Sequence, residues 1–136
     1  MRSIIREIGS IFIPVKNLEE SIKWYESILG FKVTVNWRLG ATLKLHNNST
    51  VLGLIQVNEK QPVTFKNKDT LTTPYYNFVT EDVHSAYDYL KDIGVRVFDI
   101  QDNGDFYLMD FEDPDGNLLS MIDLKQDSRW LKNFNT

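Results

Sequence analysis

A repeated segment is the feature of this chain that most constrains its fold. Residues 15–33 read VKNLEESIKWYESILGFKV, and residues 79–97 read VTEDVHSAYDYLKDIGVRV. With an offset of 64 positions the same residue type recurs at Val15 and Val79, Ser21 and Ser85, Tyr25 and Tyr89, Gly30 and Gly94, and Val33 and Val97. An internal repeat indicates a repeated structural unit. The chain is therefore predicted to contain two copies of a strand–helix–strand unit, with a pseudo-symmetric cleft between them.

The local signals within the repeat are those of a capped helix. Asn17 precedes Glu20 by three residues, which is the spacing of a capping box, and an apolar stripe of helical period follows. Gly30 supplies the left-handed residue that ends such a helix. In the second copy, Asp82 and Gly94 are the corresponding start and stop signals.

Short runs with turn signals between them predict the strands. The predicted strands span residues 8–15, 31–37, 41–45, 50–57, 75–80, 95–101, 105–112 and 117–124. Turns are expected at Asn47–Asn48, at Asn103–Gly104 and over residues 113–116. The element order is βαβββ twice, so we predict an α+β fold in which eight strands form a cupped mixed sheet around a central cleft.

The length of 136 residues fits one domain built from two modules. We place the first module at about residues 1–57, the second at about 75–124 and a C-terminal tail at 125–136. Residues 58–74 are polar and contain two prolines, so we expect a structureless connection. Its length is compatible with a lid, a dimer arm or a plain exposed linker.

Composition excludes several classes of function. The net charge is −4, which argues against a nucleic-acid partner, and the absence of cysteine excludes disulfides and thiolate chemistry. The apolar run near the N-terminus is too short for a signal peptide or a membrane span. We expect a cytoplasmic protein that does not contact membranes.

Two fragments carry a family resemblance: PVKNLEESIKWYESILGFKV at residues 14–33 and DFEDPDGNLLSMID at residues 110–123. On these fragments, and on the repeat, the chain resembles the vicinal oxygen chelate superfamily, which includes glyoxalase I, extradiol dioxygenases and bleomycin-resistance proteins. The resemblance covers roughly residues 8–124. It implies the tandem βαβββ fold with a central cleft, and a homodimer, because small members of the family commonly pair.

The resemblance also implies a divalent metal held by histidines and carboxylates, two from each module. The positions that correspond to those ligands fall on Ser10, near Gly53, on Tyr75 and on Ser120. A catalytic metal site needs about three protein ligands, which these residue types do not provide. We therefore expect no metal and no cofactor, and we expect His46 and His84 to be surface residues.

Strand alternation predicts which side chains line the cleft. The predicted lining is apolar and aromatic with a few hydroxyls and one amide, and comprises Ser10, Phe12, Trp37, Arg38, Tyr75, Asn77, Tyr107 and Ser120. Asn77 is expected either to bind an internal partner or water, or to bind a ligand. Tyr75 and Tyr107 serve either as core residues or as stacking surfaces.

The sequence therefore favours a metal-independent protein that binds a small aromatic or amphipathic molecule. One alternative is a lyase, isomerase or dioxygenase of the same scaffold, acting through displaced metal ligands or through Tyr75 as an acid. A second alternative is a non-catalytic interaction module whose cleft is closed by its own side chains. No catalytic residue is assigned from the sequence.

Overall fold

The computed structural model describes residues 3–46 and 50–134. Its first module runs in the order β1 (Ser10–Val15), α1 (Leu18–Leu29), β2 (Lys32–Trp37), β3 (Gly40–Lys44) and β4 (Val51–Gln56). These strands form one mixed sheet in the order β1-β4-β3-β2, in which only β1 and β4 are parallel. The predicted turn at Asn47–Asn48 lies outside the described residues.

A short hairpin, β5 (Thr64–Lys66) and β6 (Thr72–Pro74), comes before the second module. That module consists of β7 (Asn77–Val79), α2 (Val83–Asp92), β8 (Gln101–Asp102), β9 (Phe106–Glu112) and β10 (Leu118–Leu124). Its strands take the order β7-β10-β9-β8, which is the order of the first sheet. The α+β class and the repeated βαβββ order are thus confirmed, and the chain divides into two compact units between Gln61 and Pro62.

Both helices begin at the predicted capping residues, and α1 also ends at the predicted glycine. The Asn17 side chain accepts a hydrogen bond from the backbone N–H of Glu20, and Gly30 ends α1 in the left-handed conformation with φ of 85°. The Asp82 side chain accepts from the backbone N–H of His84 and Ser85 at the start of α2. Neither helix, among the described residues, is long and apolar enough to cross a membrane.

One contact recurs at the start of each helix and aligns the two modules residue by residue. In the first, the Gln56 side chain on β4 accepts a hydrogen bond from the backbone N–H of Leu18 at 3.1 Å. In the second, the Asp123 side chain on β10 accepts from the N–H of Val83 at 3.0 Å. Each contact satisfies a helix N–H that has no partner within its own helix. Gly53 lies three residues before Gln56, and Ser120 lies three residues before Asp123. Gly53 and Ser120 are therefore equivalent positions of the two modules.

Each sheet buries one face against its helix. In the second module, β9 and β10 place Met109, Phe111, Leu119 and Met121 on the face that α2 covers with Val83 and Leu90. Because successive side chains of a strand alternate between faces, the residues between these point away from α2. That opposite face carries Leu108, Asp110, Ser120 and Ile122.

Residues 58–74 are not a structureless connection, since they contain the β5–β6 hairpin. Its turn is closed by Asn67, whose side-chain oxygen accepts hydrogen bonds from the backbone N–H of Asp69 and Leu71. The Asn67 backbone also pairs with Leu71, N to O at 3.0 Å. Local bonds of this kind order a polar segment without an apolar pattern, which is why hydrophobic periodicity did not predict the hairpin.

The predicted strand over residues 95–101 is much shorter than expected. Only Gln101–Asp102 forms a strand, paired with Leu108 and Tyr107. Before it, Val97 makes an isolated bridge to Phe111, and the Phe98 N–H donates to the Asp110 carbonyl. The backbone before β8 thus pairs with β9 at separate points rather than in a continuous ladder.

The tail forms a short 3₁₀ helix at Arg129–Asn133, held to the second module at two points. The Trp130 ring lies 4.7 Å, centroid to centroid, from the ring of Phe106. The Arg129 side chain donates hydrogen bonds to both carboxylate oxygens of Asp105, at 2.6–3.2 Å. The tail is thus attached to the second module by one aromatic contact and one ion pair.

We expect the free energy of unfolding to fall in acid because of two ion pairs, Arg129 with Asp105 and Lys125 with Asp102. The hydrogen bonds from Arg129 hold the pKa of the Asp105 carboxyl below its usual value, and the hydrogen bond from Lys125 does the same for Asp102. The folded state then binds fewer protons than the unfolded state, so the stabilisation present at neutral pH is lost as pH falls below about 4. The free energy of unfolding in urea, measured against pH, should therefore decline less steeply in Asp105→Asn than in wild type. Asp88→Asn removes the same charge from exposed α2 and controls for the change in net charge, and equal slopes in wild type and Asp105→Asn would contradict the assignment.

We also expect a single methyl group at Gly40 to disturb the first module. A Cβ atom there would lie 2.8 Å from the backbone oxygen of Leu54 and would meet the ring of Trp37. Gly40→Ala should lower the free energy of unfolding by about 1–3 kcal/mol, because the neighbouring strand cannot move aside freely. Gly9→Ala is the matched control, since no heavy atom lies within 4 Å of its added Cβ. Equal stability of the two variants in chemical denaturation would refute the close approach.

Candidate functional site

The second module contains a cavity of about 480 Å³ between the face of its sheet that points away from α2 and the β5–β6 hairpin. All of the lining residues belong to this module and to the hairpin before it. They are Asn67, Leu71, Thr72, Thr73, Pro74, Asn77, Gln101, Asn103, Phe106, Leu108, Asp110, Ser120 and Ile122.

A row of three polar side chains crosses the sheet at the cavity. Ser120 on β10 pairs with Asn77 on one side, in parallel register, and with Asp110 on the other, in antiparallel register. The Ser120 side chain is 3% exposed, and its hydroxyl donates a hydrogen bond to Asp110 Oδ1 at 2.6 Å. This bond orients the carboxylate, because it ties Asp110 to a serine that is itself held by the sheet on both sides.

Asp110 is the only ionisable side chain among the lining residues. In the parts of the chain that the structure describes, the ion pairs join other acids to Lys or Arg, and none includes Asp110. The wall thus presents one acidic side chain, which is bonded to the hydroxyl of Ser120.

The rest of the lining is divided between apolar and neutral polar groups. Phe106, Leu108 and Ile122 supply the apolar surface of the sheet, and Phe106 is backed by Trp130. Asn67, Gln101 and Asn103 supply amides. An apolar lining with a few convergent polar groups is the usual composition of a small-molecule pocket.

The hairpin wall is ordered by its own turn. Besides the bonds made by the Asn67 side chain, the Thr70 N–H donates to the Asn67 carbonyl at 2.8 Å. Thr70 has a φ of 65°, the left-handed region that a β-branched residue rarely adopts. The Tyr75 N–H donates to the carbonyl of Val63 and so closes the open end of the hairpin.

Of the residues predicted to line a cleft, the structure brings Asn77 and Ser120 together in this cavity. Tyr75 does not line it: its side chain is 58% exposed and packs against Phe65, with ring centroids 4.9 Å apart. Tyr107 lies on the face of the sheet that α2 covers, where its ring is 5.9 Å from that of His84. The alternation of β9 explains this, because Tyr107 is an odd number of residues from Asp110.

The other four predicted residues belong to the first module. Phe12 and Gly53 are paired in the β1–β4 register, and the Phe12 ring lies where a Gly53 side chain would otherwise project. Ser10 is two residues before Phe12 on β1, so its side chain takes the same face. Trp37 ends β2 with its ring beside Gly40, and Arg38 lies in the turn to β3. None of these residues lines the cavity of the second module.

The residues present do not fit the divalent metal that the family resemblance implies. Gly53 is covered by a phenyl ring, Ser120 is bonded to Asp110, and Tyr75 packs on Phe65. Over residues 3–46 and 50–134, no three His, Cys, Asp or Glu side chains are grouped so that they could hold a metal ion. His84 is exposed on α2, against Tyr107.

Asp110 is the functional candidate that the sequence analysis missed. Pairing outward from the predicted four-residue turn at 113–116 would place residue 110 opposite residue 119. The observed connection has five residues, 113–117, and places residue 110 opposite residue 120. The predicted turn therefore misplaced the register by one residue, which exchanges the two faces of β9.

Solved structures share the fold at low sequence identity. The antibiotic binding protein TnmS3 from Streptomyces sp. CB03234 superposes with a TM-score of 0.73 at 18% identity, over 91% of this chain and 100% of that chain. A glyoxalase family protein from Enterococcus faecalis gives 0.68 at 21% identity, over 89% and 100%. Lactoylglutathione lyase from Agrobacterium tumefaciens gives 0.65 at 13% identity, over 86% and 92%.

The search of curated proteins found no match. The family model of the Glyoxalase/Bleomycin resistance protein/Dioxygenase superfamily matches residues 7–121, which include both βαβββ modules from β1 into β10. The chain therefore belongs to the Glyoxalase/Bleomycin resistance protein/Dioxygenase superfamily.

Proposed function

We propose that this protein binds a small aromatic or amphipathic molecule in the cavity of its second module, without a metal. The observation that carries the proposal is the cavity itself, which has an apolar sheet wall and the row Asn77, Ser120 and Asp110 across it. Its volume of about 480 Å³ lies within the range of about 300–1,000 Å³ that is common for ligand pockets.

The composition of the lining supports an amphipathic ligand. Phe106, Leu108 and Ile122 offer a surface for an apolar or planar body, and each apolar contact releases water from both partners. Asn77 and Gln101 can donate or accept hydrogen bonds, so they would orient polar groups on that body. Trp37 and Tyr75, two large aromatic residues predicted to line the cleft, are not among the residues that line this cavity.

TnmS3, a solved structure that shares the fold, is named an antibiotic binding protein. We propose binding rather than turnover for this chain because its cavity holds a single carboxylate and no assembled metal-ligand group among the described residues. A homodimer and a cytoplasmic location remain predictions from the sequence. The exposed Ile4, Ile5 and Ile8 near the N-terminus supply apolar surface that a second copy would cover.

Filling the cavity should abolish binding. A panel of aromatic amines, alcohols and carboxylates, screened by thermal shift, should contain compounds that raise the Tm of the wild-type protein. Asn77→Trp should remove that rise, because the indole occupies the cavity beside Ser120. Val79→Trp is the matched control, since Val79 is an exposed position of the same strand that does not line the cavity.

The backbone amides of residues 77, 110 and 120 should also shift in NMR spectra when a hit from the panel is added. Hits that still stabilise Asn77→Trp, or that shift only amides of the first module, would place binding elsewhere. A panel without any hit would argue against the proposed function.

The protein should not depend on a divalent metal. Elemental analysis of protein purified without chelator should show zinc, nickel, iron and manganese well below one atom per chain, because the positions of the family ligands hold Ser10, Gly53, Tyr75 and Ser120. Treatment with a chelator should leave the Tm and the binding of panel hits unchanged. A near-stoichiometric metal that survives dialysis, and whose removal lowers the Tm, would overturn metal independence.

A further inference from the structure

We propose that the ligand of this cavity carries a single protonated nitrogen, and that Asp110 is the group that binds it. The inference rests on the proposed function, since it assigns the chemical class of the ligand of the same cavity. It adds an acidic group, which the residues predicted from the sequence to line the cleft do not include.

The geometry of Asp110 suits a charged hydrogen-bond donor. The bond from Ser120 occupies one acceptor site of the carboxylate, and an ionised carboxylate has about four such sites. Because Ser120 is 3% exposed and its strand is paired on both sides, its hydroxyl gives the carboxylate a fixed hydrogen-bond donor before any ligand arrives. A preorganised acceptor avoids part of the ordering cost of binding.

Electrostatics selects the sign of the ligand charge. A ligand that covers Asp110 removes water from it, and desolvating an uncompensated carboxylate is costly. Within the described parts of the chain, no lysine, arginine or histidine makes an ion pair with Asp110, so no direct ion pair within the protein neutralises a charge there. An ammonium or amidinium group on the ligand would supply it, through charge-assisted hydrogen bonds that are about twice as strong as neutral ones.

The remaining lining limits the cation to a single charge on an organic body. Asp110 is the one acidic residue of the lining, and the groups around it are neutral amides, hydroxyls and apolar side chains. A hard divalent metal would need several more oxygen ligands. An amphipathic monocation would contact both the acidic and the apolar lining residues. Its nitrogen would lie at Asp110, and its apolar part would pack on Leu108, Phe106 and Ile122.

The test uses probes that share an aromatic ring and differ in the terminal group, which is cationic, neutral or anionic. Phenyl, indole and naphthyl compounds are each taken as the ethylamine, the ethanol and the acetate, and their Kd values are measured by NMR titration. Wild-type protein should bind the amines about tenfold or more tightly than the alcohols, and should bind the acetates least. Added sodium chloride should weaken amine binding and leave alcohol binding unchanged, which tests the charge pairing without any variant.

Two variants complete the experiment. Asp110→Asn keeps the shape of the side chain and removes its charge, so amine affinity should fall to that of the alcohol. Asp88→Asn removes an equal charge from exposed α2, on the other side of the sheet, and should retain the wild-type preference.

The outcomes separate the two proposals. If amines and alcohols bind wild type equally, and Asn77→Trp abolishes both, the cavity binds small molecules and the cationic assignment is wrong. An amine preference that persists in Asp110→Asn, or that disappears in Asp88→Asn, also overturns the assignment. If no compound of any charge binds, both the assignment and the proposed function fail.

Discussion

The register between β9 and β10 is the constraint on which the cavity depends. It is set by the turn that joins them, where Asp113 Oδ1 accepts hydrogen bonds from the backbone N–H of Asp115 and Asn117, both at 2.9 Å. Asp113 Oδ2 accepts from the side-chain amide of Asn117, and Gly116 takes a φ of 76°. A slip of one residue would exchange the two faces of a strand, so this turn decides that Asp110 lies beside Ser120 on the cavity face rather than on the face that α2 covers.

The internal repeat predicts the scaffold well because the scaffold depends on local signals. Asn17 and Asp82 begin the helices, Gly30 ends α1, and the strand order of the two sheets is identical. These features need only backbone hydrogen bonds and an apolar stripe, which are visible in the sequence. The hairpin at residues 64–74 was not visible, because it depends on the side-chain bonds of Asn67 rather than on periodicity.

The site was predicted only in part, for a different reason. Asn77 and Ser120 followed from alternation, while Asp110 required the pairing partner of Ser120 to be identified as well. Tyr107 was assigned to the wrong face of the sheet because the register of β9 had not been fixed against β10. The predicted lining contained no acidic residue, whereas the structure places a carboxylate within hydrogen-bonding distance of Ser120.

Equivalent positions show how the two modules have diverged. The contacts of Gln56 and Asp123 with the helix starts make Phe12 and Gly53 the counterparts of Asn77 and Ser120. In the first module the aromatic ring of Phe12 fills the space over the glycine, so the pair leaves no polar group for a ligand. In the second module the same two strand positions carry an amide and a hydroxyl, and the hydroxyl orients Asp110. The shared scaffold thus positions both pairs, and the side chains alone decide that the second pair can recognise a polar group. Because Asp110 lies beside that pair, the second module can bind the charged group of an amphipathic cation. The first pair can offer a ligand only apolar contact.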